Sequence, residues 1–221
     1  MMSDFLQNEE THVVLAQAQR PEVSVMLFPG CILFEIALAL EQVASHYTVR
    51  FYTPLGDVHQ SSQGFELQAH GSYETLATAD SVAVLVPGGD TRGALAGAYP
   101  VREALLSHMH NGALIAAICA GNLILAYAGI LEGRRGTHHY TREHAPQARV
   151  DAASRYWDTM IFERADLVID GNVITAQPWA YREYAAAVAE YLNILVPEQA
   201  AALITYTERR RYNSHCSERR V

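Results

Sequence analysis

Apolar positions fall into two rhythms along the chain, and their alternation outlines the fold. Val23-Ser24-Val25-Met26-Leu27-Phe28 is a nearly unbroken apolar run closed by Pro29-Gly30, which predicts a strand buried on both faces. Ile32 to Ser45 carries helical spacing, with Glu35 in its first turn. Tyr47 to Thr53 predicts a second strand, closed by Pro54-Leu55-Gly56-Asp57. Val58 to Ala69 holds two short polar strands around Ser61-Ser62-Gln63-Gly64, an excursion off the main sheet. Ser81 to Val86 is a third buried strand ending at Pro87-Gly88-Gly89-Asp90, followed by a helix over Pro100 to His110. Ala113-Leu114-Ile115-Ala116-Ala117-Ile118 is the next apolar run. It meets Cys119, then Ala120-Gly121, then the helical pattern Asn122 to Ala128.

Past Gly129 a turn leads to the polar cluster Thr137-His138-His139-Tyr140 and a loop-rich stretch. Leu167 to Thr175 predicts two short strands about an Asp170-Gly171 turn. Glu183 to Leu195 is an amphipathic helix, and Pro197 opens another that runs to about Thr207. Apolar strands alternating with helices predict an α/β domain with a mostly parallel sheet over residues 22–207. Residues 1–21 read as a polar extension with a short helix over Val13 to Ala18. Residues 208–221 read as a solvated arginine-rich tail, holding five of the sixteen arginines.

In such sheets, ligands bind at the carboxyl ends of strands. Three strands end there in something chemically useful: Pro29-Gly30 with Glu35, Gly88-Gly89, and Cys119. The Cys119 stretch has the layout of a nucleophile elbow. A strand stops abruptly, the nucleophile sits on a tight turn, and Gly121 lets the next helix pack close. A helix N-terminus aims unpaired N–H groups at the sulfur, which predicts a thiol that ionises more readily than a free one. The same stretch also fits a buried cysteine acting as a small hydrophobe.

Composition narrows the chemistry. With 221 residues, half of them hydrophobic, one compact domain is expected. A net charge of −8 argues against nucleic acid or an anionic membrane surface as partner. Three well-separated cysteines, Cys31, Cys119 and Cys216, suit free thiols in a reducing cytoplasm; no thiolate metal site or disulfide framework is expected. There is no lysine, which excludes Schiff-base chemistry, a pyridoxal phosphate anchor and a Walker-A lysine. No cofactor is expected. His108 and His110 lie two apart on a helix and share no face, so no zinc pair is predicted there.

Five stretches together resemble the DJ-1/PfpI (ThiJ/PfpI) superfamily. They are Phe28-Pro29-Gly30 with Glu35, Val86-Pro87-Gly88-Gly89, Ala116 to Gly121, Gly129 to Thr137, and Asp170 to Thr175. The resemblance covers about Val23 to Val196 and implies a flavodoxin-like three-layer sandwich of the class I glutamine amidotransferase-like type. It also implies an oxidation-prone Cys119 beside a protonated Glu35. Elementary electrostatics agrees, since a carboxylate next to a thiolate is pushed toward its neutral form. By the same resemblance, a histidine after the elbow helix approaches the cysteine; His139 falls at that position and His138 is one residue off. Gly88, Gly89 and Ala120 would supply the oxyanion or substrate-binding groups. A homodimer is implied as well.

Two departures matter. Ala120 stands where proteases of the family carry a histidine, and Ala176-Gln177-Pro178 follows Thr175 where many relatives have glycine or serine. The Ser61 to His70 stretch and the Cys-x-Gly elbow look closer to the isonitrile hydratase and regulator branch. No AraC-type DNA-binding domain is expected after the Pro197 helix. Two functions stay open at this level. One is a small-molecule hydrolase, hydratase or glyoxalase-like enzyme acting on an electrophilic carbon. The other is a non-catalytic sensor that works by cysteine oxidation.

Overall fold

The computed structural model describes residues 20–205. The helix expected over Val13 to Ala18 and the tail from residue 208, with His215 and Cys216, lie outside them. The first half comprises β1 (Glu22–Met26), α1 (Phe34–Ala44), β2 (Thr48–Thr53), β3 (His59–Gln60), β4 (Glu66–Leu67), β5 (Gly71–Ser72), α2 (Tyr73–Ala77), β6 (Ser81–Val86), α3 (Arg92–Leu95) and α4 (Val101–His110). The second half comprises β7 (Leu114–Ile118), α5 (Gly121–Tyr127), β8 (Arg135–Gly136), α6 (Gln147–Ala153), β9 (Ile161–Phe162), β10 (Leu167–Asp170), β11 (Val173–Ala176), α7 (Tyr181–Tyr191) and α8 (Pro197–Thr205).

Seven strands form one sheet in the order β10-β11-β7-β6-β1-β2-β5, parallel except for β10, which returns antiparallel on β11 through the Asp170-Gly171 turn. Helices α1 and α7 pack together on one face, with α8 against α7; α2, α4 and α5 cover the other. This is the expected flavodoxin-like sandwich. Burial explains why the strands read as continuous apolar runs: all five residues of β7 are fully buried, because helices cover both faces of the sheet. The β3–β4 pair forms a small sheet of its own, as its polar sequence predicts. It is tied to the β1–α1 turn by Gly30 N–H to Gln60 O and Ser62 N–H to Cys31 O.

Short elements escape the pattern. The region between the histidines and β10 is not one loop: it contains α6, a 3-10 turn at Ser154–Tyr156 and β9, which pairs with β8. Only Ala153 of α6 is buried, so no apolar stripe marks that helix in the sequence.

Candidate active site

The site is assembled from three strand ends. At the end of β7 the chain turns through Cys119, whose φ of 59° lies in the left-handed region that a cysteine rarely occupies. The turn is held by Cys119 N–H to Ala176 O at 2.9 Å. Gly121 follows because nothing larger fits: a Cβ there would sit 2.6 Å from the Val86 and Pro87 carbonyl oxygens. Asn122 is fully buried and donates its side-chain amide to Thr137 O and Ala176 O, at 3.1 and 2.9 Å. It thereby ties the elbow helix to β11 and to the segment that bears the histidines. Sequence reading gave this residue no role; its one signal is a polar side chain among apolar helical neighbours.

Glu35, on the first turn of α1, is buried, and its Oε2 accepts the Gly88 N–H at 2.8 Å. It faces Cys119 within hydrogen-bonding reach. Gly88 sits between them: a Cβ there would lie 2.6 Å from Glu35 Oε2 and 2.7 Å from Cys119 Sγ. The role expected of Gly88 changes accordingly. Its amide is spent on the carboxylate and does not serve as an oxyanion donor; the residue matters because it has no side chain. The amides of Ala120 and Gly89 do point at the sulfur. Gly89 has φ 120°, and a Cβ on it would collide with Gly30 O at 2.3 Å, so glycine is required where the two loops cross.

The thiol departs from expectation too. Burial first, then the charge of Glu35 and its hydrogen bond, push Cys119 up to about 12; the Ala120 and Gly89 amides oppose this without outweighing it. The Glu35 carboxyl is raised too, but by burial and not by a neighbouring thiolate; its hydrogen bonds with Cys119 and Gly88 oppose the rise. Two negative charges do not coexist here, because burial and the neighbouring Glu35 both hold the proton on the thiol. The readily ionised thiol read from the helix N-terminus neglected desolvation, which no local motif reports.

Cys119 and Ala120 open onto a cleft of about 860 Å³, walled also by Ser62, Gly89, His139, Tyr140 and Arg149. The two adjacent histidines diverge. His139 stands in the cleft wall with its Nδ1 buried and unpartnered, tilted against Tyr140 at 4.5 Å. His138 is a correction to the candidate set: it lines no part of the cleft. It stacks on Trp157 at 4.1 Å, lies 4.8 Å from Phe162, and accepts the Tyr140 N–H on Nδ1 at 3.1 Å. The chain bends at His139, so one ring lines the sulfur's cleft while the other sits in an aromatic cluster. Gln177 braces this segment by donating to Thr137 Oγ1 and His138 O at 2.8 and 3.1 Å. Trp179 donates to Asp166 at 2.7 Å, half exposed and outside the cleft wall. Tyr140 and Arg149 are cleft residues that sequence reading did not single out.

Both histidines are pushed down to about 4, chiefly by burial. They are neutral in the folded chain and titrate near 6.5 once unfolded, so the unfolded state binds more protons between those values. Stability is therefore full above pH 6.5 and falls as pH drops toward 4. The expected slope is at most about 2.7 kcal/mol per pH unit for the pair. Urea titrations across this range measure it, and His138→Phe should remove about half; an unchanged slope in that variant would contradict the assignment.

Among the described residues, no group of three or more His, Cys, Asp or Glu side chains is placed to hold a metal ion, and no helix is long and apolar enough to cross a membrane. His108 is buried on α4, its Nδ1 2.7 Å from Ala104 O, while His110 is exposed.

The DJ-1/PfpI family profile matches residues 4–190. The chain belongs to the DJ-1/PfpI family. Among proteins of this kind, it is similar to an isonitrile hydratase of Pseudomonas putida, 26% identical over 107 residues, which are 48% of this chain and 44% of that protein. It is also similar to the glutathione-independent glyoxalase DJR-1.2 of Caenorhabditis elegans, 31% identical over 122 residues, 55% of this chain and 59% of that one. The matched regions thus span about half the length of each relative. Solved structures agree on the fold. The DJ-1 superfamily protein Atu0886 from Agrobacterium tumefaciens superposes with a TM-score of 0.70 at 23% identity, covering 86% of this chain and 99% of the other. Drosophila melanogaster DJ-1beta gives 0.68 at 24% identity, covering 84% and 96%. At those identities the likeness speaks for the DJ-1/PfpI fold alone.

Proposed function

We propose that this DJ-1/PfpI family member is a cysteine-dependent enzyme that acts on a small molecule with an electrophilic carbon, a hydrolase, hydratase or glyoxalase-like activity. The observation that carries the reading is the Cys119–Glu35 pair, a thiol and a carboxyl within hydrogen-bonding reach at a strained elbow that opens onto a cleft. As the sulfur adds to the carbon, the S–C bond forms and the π electrons of the C=X bond move onto X. The thiol proton passes to Glu35, which delivers it to X, while the Gly89 and Ala120 amides stabilise the growing charge. In a hydrolase or hydratase, water then bonds to the same carbon as His139 takes its proton, and the S–C bond breaks with its electron pair and that proton returning to Cys119.

Cys119 is 9% exposed and reached through a cleft rather than from the open surface, which suits a small-molecule enzyme better than an oxidation sensor. The named relatives, an isonitrile hydratase and a glyoxalase, act on such carbons and support the reaction class. A panel of glyoxals, isonitriles and amides, run beside Cys119→Ser, tests it. Turnover of at least one compound that disappears in Cys119→Ser is expected; equal rates in both proteins, or none across the panel, count against the enzyme. A homodimer in the cytoplasm completes the proposal, and sedimentation of the purified chain tests its dimeric part.

A further inference from the structure

The cleft that holds Cys119 has an unbalanced charge. Three charged side chains line it: Asp90, Arg92 and Arg149. Asp90 is neutralised within the wall, since Arg92 grips both its carboxylate oxygens with its Nε at 2.9 and 3.1 Å. That hydrogen bonding holds the Asp90 carboxyl below its usual range. Arg149 is left over. Its side chain makes no hydrogen bond or ion pair with any described residue, and its guanidinium lies 5.9 Å from the centre of the Tyr140 ring. Exposed at the cleft wall, it lies close enough for its charge to act on His139, Tyr140 and Asp90, which line the same cleft as the sulfur.

The backbone supports a purpose for this placement. Helix α6 contributes Arg149, Ala152 and Ala153 to the cleft, the i, i+3, i+4 spacing of a single helical face. Two of the three are alanines, so the face offers space beside one cation. A guanidinium held over an aromatic ring, with its donors unspent, is suited to a planar carboxylate, which it can bind through two parallel hydrogen bonds.

We propose that Arg149 is the anion anchor of the site, and that the substrates are small electrophiles carrying a carboxylate, such as 2-oxo acids. This rests on the reactive-cysteine reading for the chemistry, but the anchor itself can be tested without turnover. Two measurements on the full chain do so. Oxamate, an unreactive 2-oxo acid analogue, is titrated by calorimetry into the unsubstituted protein and into Arg149→Gln. The rate of Cys119 alkylation is then compared for anionic iodoacetate and neutral iodoacetamide in the same two proteins.

Oxamate should bind roughly tenfold more weakly to Arg149→Gln, with Arg149→Lys in between because it keeps the charge and loses the fork. The iodoacetate-to-iodoacetamide rate ratio should fall by about the same factor in Arg149→Gln, and less so at high ionic strength. A ratio and an oxamate affinity that ignore Arg149→Gln overturn the proposal, as does a variant in which both reagents slow equally. Should oxamate bind through Arg149 while no compound of the panel shows Cys119-dependent turnover, the anchor stands and the cysteine-enzyme reading fails. Cys119-dependent turnover, with an oxamate affinity and an alkylation ratio that ignore Arg149→Gln, removes the anchor and leaves the enzyme in place.

Discussion

Glu35→Gln should make the Cys119 thiol easier to ionise and the protein a far poorer catalyst. The two effects point in opposite directions because Glu35 does two things to the sulfur. Its charge and its hydrogen bond both favour the protonated thiol, which burial already raises. A neutral amide removes the charge while keeping an oxygen for the Gly88 N–H, so the local geometry survives. The thiol then titrates at lower pH, and alkylation by iodoacetamide at pH 8 speeds up. Turnover, however, needs a group that takes the thiol proton and passes it to the substrate, which an amide cannot do. A loss of roughly 10²- to 10⁴-fold in kcat/KM is expected. A thiol that becomes harder to ionise in Glu35→Gln would sink this account, because Glu35 would then be working as a neutral donor to a resting thiolate.

That arrangement also marks the limit of what the sequence conveys. Burial of the main sheet is written into its residues: continuous runs such as Val23–Phe28 and Ala113–Ile118 have no polar face to show to water. The elbow is equally plain, since Gly121 follows Cys119 where a side chain would strike backbone oxygens. The Asp170-Gly171 turn sets the antiparallel β10 edge in the same local way. The thiol's acidity is a different kind of property. It depends on how much water the surrounding helices exclude and on a carboxylate contributed by another strand–helix turn 84 positions earlier (119 minus 35). Helix α6 is hidden for a related reason: seven residues, mostly exposed, carry no periodic stripe, and their placement over the cleft is decided by tertiary contact. His138 and His139 could be told apart only once Trp157 and Phe162 were seen to claim one of them.

Gly88→Ala should remove activity out of proportion to its cost in stability. The added methyl would lie 2.6 Å from both Cys119 Cβ and Glu35 Oε2 and 2.7 Å from Cys119 Sγ, so the two reacting groups must part to admit it. Glu35 Oε2 is the far end of a side chain and can swing aside, while Cys119 Cβ, fixed to the elbow backbone, must shift with it, a folding cost of about 1–3 kcal/mol. Glu35 cannot swing aside and still take the proton of the sulfur. A displacement on the order of 1 Å at the reacting pair lowers kcat roughly 100-fold. Gly121→Ala provides the contrast. Its methyl would meet the carbonyl oxygens of Val86 and Pro87 at 2.6 Å, and backbone at the end of a buried central strand cannot swing aside as a side chain does. That variant should lose about 3 kcal/mol or more, along with the activity. Urea unfolding and Cys119-dependent turnover, measured on both variants, separate the cases. If Gly88→Ala loses stability as Gly121→Ala does, or keeps full turnover, then Gly88 is ordinary packing and the thiol–carboxyl pair is not what the loop is shaped to protect.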